Sequence, residues 1–180
     1  MKTILVVGHS EVSQGAKNKS FCVSEYSINK KLAIDIKKVL GSKVEIVYRL
    51  NGYIQLPNGI NKLNPNLILS LHCNAYNTKV SGSEVLYYYK SERSKKIAQI
   101  FQSKIVNVLE LSDRGIKGKS SEDRGGYLLR YTDAPCLIME PYFIDNDSDF
   151  TRFLCKYKSY VECICNTIEE INNNNLIKKG

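Results

Sequence analysis

Residues 66–75 read NLILSLHCNA, an apolar run Leu67-Ile68-Leu69-Ser70-Leu71 that ends in His72, Cys73, Asn74 and Ala75. Asn64-Pro65-Asn66 opens the run and small polar residues close it, so it reads as a buried strand with a histidine at its C-terminal end. In α/β sheets, ligands gather outside that end of the strands. The chain has only one other histidine, His9, and it closes a second apolar run, Thr3 to Gly8. A third run, Cys136 to Met139, ends in Glu140, and Pro141 holds that residue in extended backbone rather than a helical turn.

Between the first two runs lies a polar loop, Ser10 to Ser24, followed by a clear helix. Ser24 can serve as N-cap, and Glu25 opens a stripe that continues through Asn29, Leu32, Ala33, Ile36 and Leu40 before Gly41 stops it. The stripe places Glu25 on the buried face. Complementing the helix dipole would account for an acid in the first turn, but that role requires no burial.

The other elements are a strand over Lys43–Tyr48, a loop with one or two helical turns over Asn51–Leu63, and a strand over Ser83–Lys90. That strand carries Tyr87-Tyr88-Tyr89, which alternate faces, so at least one is exposed; an edge strand is the expectation, a platform for stacking on sugar the alternative. A long helix is expected over Ser91–Leu111 with Ile97, Phe101, Ile105, Val108 and Leu111 inward. Ser112–Arg124 reads as a charged, glycine-rich connector, Tyr127–Tyr131 as a short helix, and the chain from Ser148 onward as helical. Asn172 to Asn175 are poor helix formers and begin a polar tail, so the domain is placed at residues 1–171 and a tail or linker at 172–180. The expected fold is α/β, a single domain with a twisted, mostly parallel but mixed central sheet and helices on both faces.

At 180 residues the chain can bury one sizeable core. No apolar stretch approaches the roughly 20 residues of a membrane span, and residues 1–9 are too short for a signal-peptide core. Synthesis in the cytoplasm is therefore expected, and with it six free cysteines, Cys73 being the one nearest the histidines. The net charge of +8 suits a polyanionic partner. No nucleic-acid motif or dense basic block is present, and the carboxylates and phosphates of a bacterial wall attract a basic chain equally well.

Parallel neighbouring strands would bring His9, His72 and Glu140 to one sheet edge, and Glu25 joins them if its loop folds back. Two neutral imidazoles and a carboxylate are a catalytic zinc ligand set that leaves a position for water, and a second carboxylate nearby can move the water's proton. A lone histidine at a strand end is, equally, an ordinary satisfied core residue.

The segments VVGHS (6–10), SEYSINKKLAIDIKKVL (24–40), LILSLHCNA (67–75), GSEVLYYY (82–89) and CLIMEPYFIDND (136–147), in this order and at these separations, resemble the zinc-dependent N-acetylmuramoyl-L-alanine amidases of the amidase-3 family. Clostridial phage endolysin catalytic domains are the nearest in pattern. The resemblance implies that His9, Glu25 and His72 bind one Zn2+, that Glu140 is the catalytic carboxylate, and that the reaction hydrolyses the amide between the lactyl group of N-acetylmuramic acid and L-alanine of the stem peptide. It makes Asn74 a candidate support for the site or contact for substrate. It also implies an enzyme that acts on bacterial peptidoglycan after release to the wall, as a monomer, without nucleic acid or stable membrane association. A phage endolysin or a mother-cell lytic enzyme fits equally. The alternatives are a zinc peptidase cutting within the stem peptide and a non-catalytic wall-binding relative. Two departures from the family pattern stand out: no acid precedes His9 and no glycines follow it directly, and Pro141-Tyr142 follows Glu140. They concern the loop beside the metal and the substrate groove.

Overall fold

The run at residues 67–71 is a central strand with every residue buried, as a strand covered on both faces requires. The computed structural model describes residues 2–50 and 52–174. Among them the strands are β1 (Thr3–Val7), β2 (Lys17–Asn18), β3 (Val23–Ser24), β4 (Val44–Tyr48), β5 (Leu67–Leu71), β6 (Ser83–Tyr88), β7 (Asp113–Lys119) and β8 (Cys136–Glu140). The helices are α1 (Glu25–Leu40), α2 (Leu56–Asn61), α3 (Glu92–Leu109), α4 (Gly126–Tyr131), α5 (Asp147–Cys155) and α6 (Tyr157–Asn173). Six strands form one sheet in the order β4-β1-β5-β8-β6-β7, and β2 and β3 form a separate hairpin. All neighbours in the sheet are parallel except β6 and β8, which makes the sheet mixed.

Side chains alternate between two apolar layers, the period of two that a pleated strand imposes. Leu5, Val7, Leu69, Leu71, Val85, Leu137 and Met139 face a layer built with α1, α3, α5 and α6. Ile4, Val6, Ile68, Leu86 and Ile138 face a smaller layer supplied by α2 and α4. Each fully buried aliphatic side chain contributes about 1.5–3 kcal/mol of burial free energy, so two covered faces account for a stable sheet.

Helix α1 begins as expected. The Ser24 hydroxyl accepts the Ser27 N–H, and the Ser27 hydroxyl accepts the Ser24 N–H in return, a reciprocal cap that satisfies two otherwise orphaned donors. Gly41, at φ +58°, ends it. Glu25, Asn29, Leu32, Ala33, Ile36 and Leu40 are all buried, as the stripe requires.

Three expectations need correction. First, β6 is not an edge strand: it pairs with β8 on one side and β7 on the other. The supposed connector 112–124 holds the true edge strand, β7, which needs pairing on one side only and so tolerates its charges and glycines. Of the three tyrosines, Tyr87 is buried and Tyr89, just past the strand, is exposed. Second, the C-terminal helical region is two helices, broken at Lys156, whose N–H bonds back to the Arg152 carbonyl while its own carbonyl starts α6 through the Tyr160 N–H. Tyr160, Val161, Ile164, Ile168 and Ile171 form the buried face of α6, and the helix runs through Asn173 rather than stopping before Asn172. The tail from residue 175 lies outside the described residues. Third, α3 ends at Leu109, which is its buried final residue; Glu110 at φ +55° terminates it, so Leu111 lies beyond the helix while still packing against the core. No helix among the described residues is long and apolar enough to cross a membrane.

Candidate metal centre

Val7, Leu71 and Met139 lie side by side in register across β1, β5 and β8. The residues that follow them, His9, His72 and Glu140, therefore emerge at one edge of the sheet. The polar loop after β1 folds back through the β2–β3 hairpin, whose register pairs Lys17 with Ser24. Beyond that pairing, the Glu25 N–H bonds to the Ala16 carbonyl at 2.8 Å and the Tyr26 N–H to the Gln14 carbonyl at 3.0 Å. Backbone pairing thus delivers the first residue of α1 to the strand ends.

Glu25 sits between the two imidazoles. Its Oε2 is 2.9 Å from His9 Nε2, and its Oε1 is 2.9 Å from His72 Nδ1. The same two oxygens accept the backbone N–H groups of Ala16 (3.2 Å) and Cys73 (3.0 Å). Burial works against its charge, but the hydrogen bond with His72 and the closeness of the His9 ring outweigh it and hold the carboxyl well below the usual carboxylate range. One donor atom from each of His9, Glu25 and His72 lies within 4.8 Å of the others. His9 Nε2, though near the carboxylate, is buried and makes no aligned hydrogen bond. Two imidazole nitrogens, one of them unsatisfied, and an ionised oxygen gathered at one place are a donor set that fits a divalent zinc ion.

Two glycines missed in the sequence make this packing possible. His9 itself has φ +66°. A Cβ on Gly8 would lie 2.7 Å from the His72 ring, and one on Gly15, at φ +74°, would lie 2.5 Å from His9 Cδ2 and 2.6 Å from Glu25 Oε2. The glycine that packs against the first histidine thus arrives from six residues downstream. Gly15→Ala is expected to cost about 1 kcal/mol or more of stability from its left-handed backbone alone, and to lower metal uptake by the donor set at equal protein concentration. Metal analysis beside a thermal melt checks both.

Glu140 lines the same cavity, whose volume is about 380 Å³. Its Oε2 is enclosed and has no hydrogen-bond partner. Burial, then the charges of Glu25 and Glu84, push its carboxyl well above the ordinary range, against the opposing pull of Arg124 and Lys119. Glu84 stands directly opposite Glu140 in the antiparallel β6–β8 pairing. It is held by Arg114 Nε at 2.8 Å and Asn74 Nδ2 at 2.9 Å. Asn74 therefore reaches Glu84 and not the histidines, and its backbone ties the end of β5 to the segment after β8 through the Tyr142 carbonyl and the Ile144 N–H.

Cys73 is buried behind the carboxylate, where its Sγ accepts from Asn29 Nδ2 at 3.5 Å. Burial, followed by the Glu25 charge, pushes its thiol up and keeps it protonated. Cysteines 22, 73, 136, 155, 163 and 165 are all free thiols. The sequence also concealed Arg49, Tyr53, Glu84, Lys119 and Arg124 as cavity residues. Only Glu84 left a signal, an acid one residue into the strand that carries the tyrosines.

Comparison with known proteins identifies the family and the fold. Residues 4–170 match the Amidase_3 model, described as N-acetylmuramoyl-L-alanine amidase, and the chain belongs to that family. It is 26% identical over 152 residues to the N-acetylmuramoyl-L-alanine amidase LytC of Bacillus subtilis, a stretch that covers 81% of this chain and 30% of LytC. An N-acetylmuramoyl-L-alanine amidase from Clostridium difficile 630 has the same fold, with TM-score 0.82 at 21% identity over 96% of this chain and 97% of that one. The catalytic domain of the CD27L endolysin targeting Clostridia difficile superposes with TM-score 0.79 at 25% identity, over 94% of this chain and 97% of that domain.

Proposed function

We propose that the chain is a zinc-dependent peptidoglycan amidase that hydrolyses the amide between the lactyl group of N-acetylmuramic acid and L-alanine. The observation that carries this reading is the convergence of His9, Glu25 and His72 within 4.8 Å in a cavity that also holds the unpartnered Glu140, in a chain of the amidase family. His9, Glu25 and His72 would hold one zinc ion, and Glu25, braced by two backbone N–H groups, would fix its place. The ion supplies a Lewis acid for the scissile carbonyl and makes water more acidic.

Glu140 moves the proton. Enclosed in the same cavity as the donor set and with an unpartnered oxygen, it takes a proton from the attacking water and gives it to the leaving nitrogen. Water oxygen joins the lactyl carbon, the C–N bond breaks, and the products are a lactyl carboxylate and a stem peptide with a free L-alanine amine. The Arg114–Glu84–Asn74 group beside it keeps the Glu84 charge in place opposite Glu140.

Mass spectrometry of digested peptidoglycan tests the assignment. Expected are free stem peptides beginning with L-alanine, glycan without new reducing ends, and one zinc per chain by metal analysis. New amino termini inside the stem would show a peptidase instead, and metal-free protein without products would show a wall-binding relative.

A further inference from the structure

We propose that Glu84 is a second catalytic carboxylate, one that receives the positive charge forming on the L-alanine nitrogen while Glu140 protonates it. The role rests on the amidase reading above and adds to it a partner for the leaving amine.

Strand pairing puts the two acids side by side. Glu84 on β6 stands directly opposite Glu140 on β8, so both belong to the same face of the sheet, and both line the cavity that holds the donor set. Opposed residues on antiparallel strands start about 4.5–5.5 Å apart at Cβ. Two side chains of equal length on that spacing can approach one atom between them from two sides. Glu140 must come within hydrogen-bond reach of the scissile nitrogen to protonate it, and Glu84 then reaches the same nitrogen. The Glu84 side chain is 13% exposed, enclosed by protein yet open to the cavity.

The surroundings hold Glu84 in place without using it up. Arg114 Nε donates to its Oε2 at 2.8 Å, and Asn74 Nδ2 to its Oε1 at 2.9 Å. Each carboxylate oxygen has two acceptor positions, so one on each stays available to a ligand. A bulge aims Arg114: Ser83 pairs with Asp113 and Val85 with Ile116, so Arg114 and Gly115 together oppose Glu84. The guanidinium also lies over the Phe143 ring at 5.0 Å, and a Cβ on Gly82, at φ +119°, would stand 2.9 Å from Arg114 Cγ and Cδ. Like charges opposite each other on paired strands are destabilising. A glutamine at position 84 could accept from Arg114 without that penalty, so a second acid is understandable where a cation comes between the pair.

The reaction creates such a cation. Glu140 takes one proton from water as the oxygen adds to the lactyl carbon, and returns it to the nitrogen, which then carries two N–H groups and a positive charge until the C–N bond breaks. The amine leaves with the electron pair of that bond, the lactyl acid loses its proton, and the amine gains one below its pKa of roughly 7.7–8.0. While the nitrogen is charged, Glu140 is again a carboxylate on one side of it and Glu84 is a fixed carboxylate on the other. Charge placed in advance favours what develops in the transition state over the neutral amide that precedes it. Of the other charged or titratable groups lining the cavity, Glu25 belongs with His9 and His72 in the donor set, and Arg49, Lys119 and Arg124 repel a cation. Glu84 and Glu140 are the two acids left to receive it.

Calorimetric binding to the zinc-loaded full chain carrying Glu140→Gln isolates Glu84. The probes are a stem peptide with a free L-alanine amine and the same peptide N-acetylated. About one pH unit below the amine's pKa of roughly 7.7–8.0, the free amine should bind about tenfold tighter, the worth of one charge-assisted hydrogen bond, and the advantage should fade about one unit above it. Adding Glu84→Gln should bring the ratio close to one, and Glu84→Asp should keep part of it. With Glu140 intact, Glu84→Gln should lower kcat by about tenfold at nearly unchanged KM and unchanged zinc content, because the charge exists only after proton transfer. An advantage that grows with pH overturns the proposal, since the metal would then be binding the neutral amine. So does an advantage that survives Glu84→Gln, no advantage at either pH, or binding of neither peptide. If circular dichroism shows Glu84→Gln unfolded, the pH trend and Glu84→Asp decide. Any of these failures leaves the amidase standing while the wild type still releases stem peptides from walls; no release overturns both.

Discussion

Glu140→Gln is expected to lower hydrolysis by about a thousandfold, the range lost with a positioned general acid–base, while zinc content stays at one per chain. Glutamine keeps the shape at the end of β8 but cannot accept or return a proton. The pair of readouts matters: if rate and zinc fall together, Glu140 is a ligand, and if neither falls, the proton has another carrier. The same substitution has a stability signature in metal-free protein. A carboxyl whose folded pKa is raised destabilises the fold when ionised; the penalty is full above the folded value and absent below the unfolded value near about 4.3. Glu140→Gln should therefore match the wild type near pH 4 and become more stable than it as the pH rises toward the raised folded value. Urea melts at the two ends of that range measure the difference.

Glu25→Ala should remove zinc binding and activity together and also destabilise the protein, by about 2–4 kcal/mol. The carboxylate does two things at once: it contributes an oxygen to the donor set and it joins the backbone of the hairpin at Ala16 to that of β5 at Cys73. His9→Ala should lose zinc with a much smaller stability loss, because Glu25 keeps its two backbone N–H partners and no buried N–H is left behind; alanine holds the same left-handed backbone and relieves no strain there. Chemical denaturation of the two metal-free variants separates the roles. Equal stability would mean that Glu25 acts as a ligand only.

The strands that carry the site could be read from the sequence because buried parallel strands are continuous apolar runs, and β1, β5 and β8 are of that kind. Glu25 could be read because an acid in register with Leu32 and Ile36 conflicts with a simple surface role. Strand β7 could not, since Asp113–Lys119 has no apolar run and is held by its partner β6 alone. Nor could the break at Lys156, because the apolar spacing continues across it and only the backbone shows the turn. Arg49, Lys119 and Arg124 are three ordinary charges until the fold brings them to one cavity. Gly15 is one more glycine in a polar loop until its missing Cβ proves to be the space that His9 and Glu25 occupy.

The β2–β3 hairpin bears on the order of events. In small zinc domains the metal creates the fold, because nothing else brings its donors together. Here main-chain hydrogen bonds at Ala16 and Gln14, and the registers of β1, β5 and β8, already bring a nitrogen or oxygen from residues 9, 25 and 72 to one point. On the proposed reading, the ion joins donors that main-chain pairing brings together. Chelation should then silence the protein while leaving its circular dichroism spectrum intact, and adding the metal back should restore it at the speed of an encounter rather than of refolding.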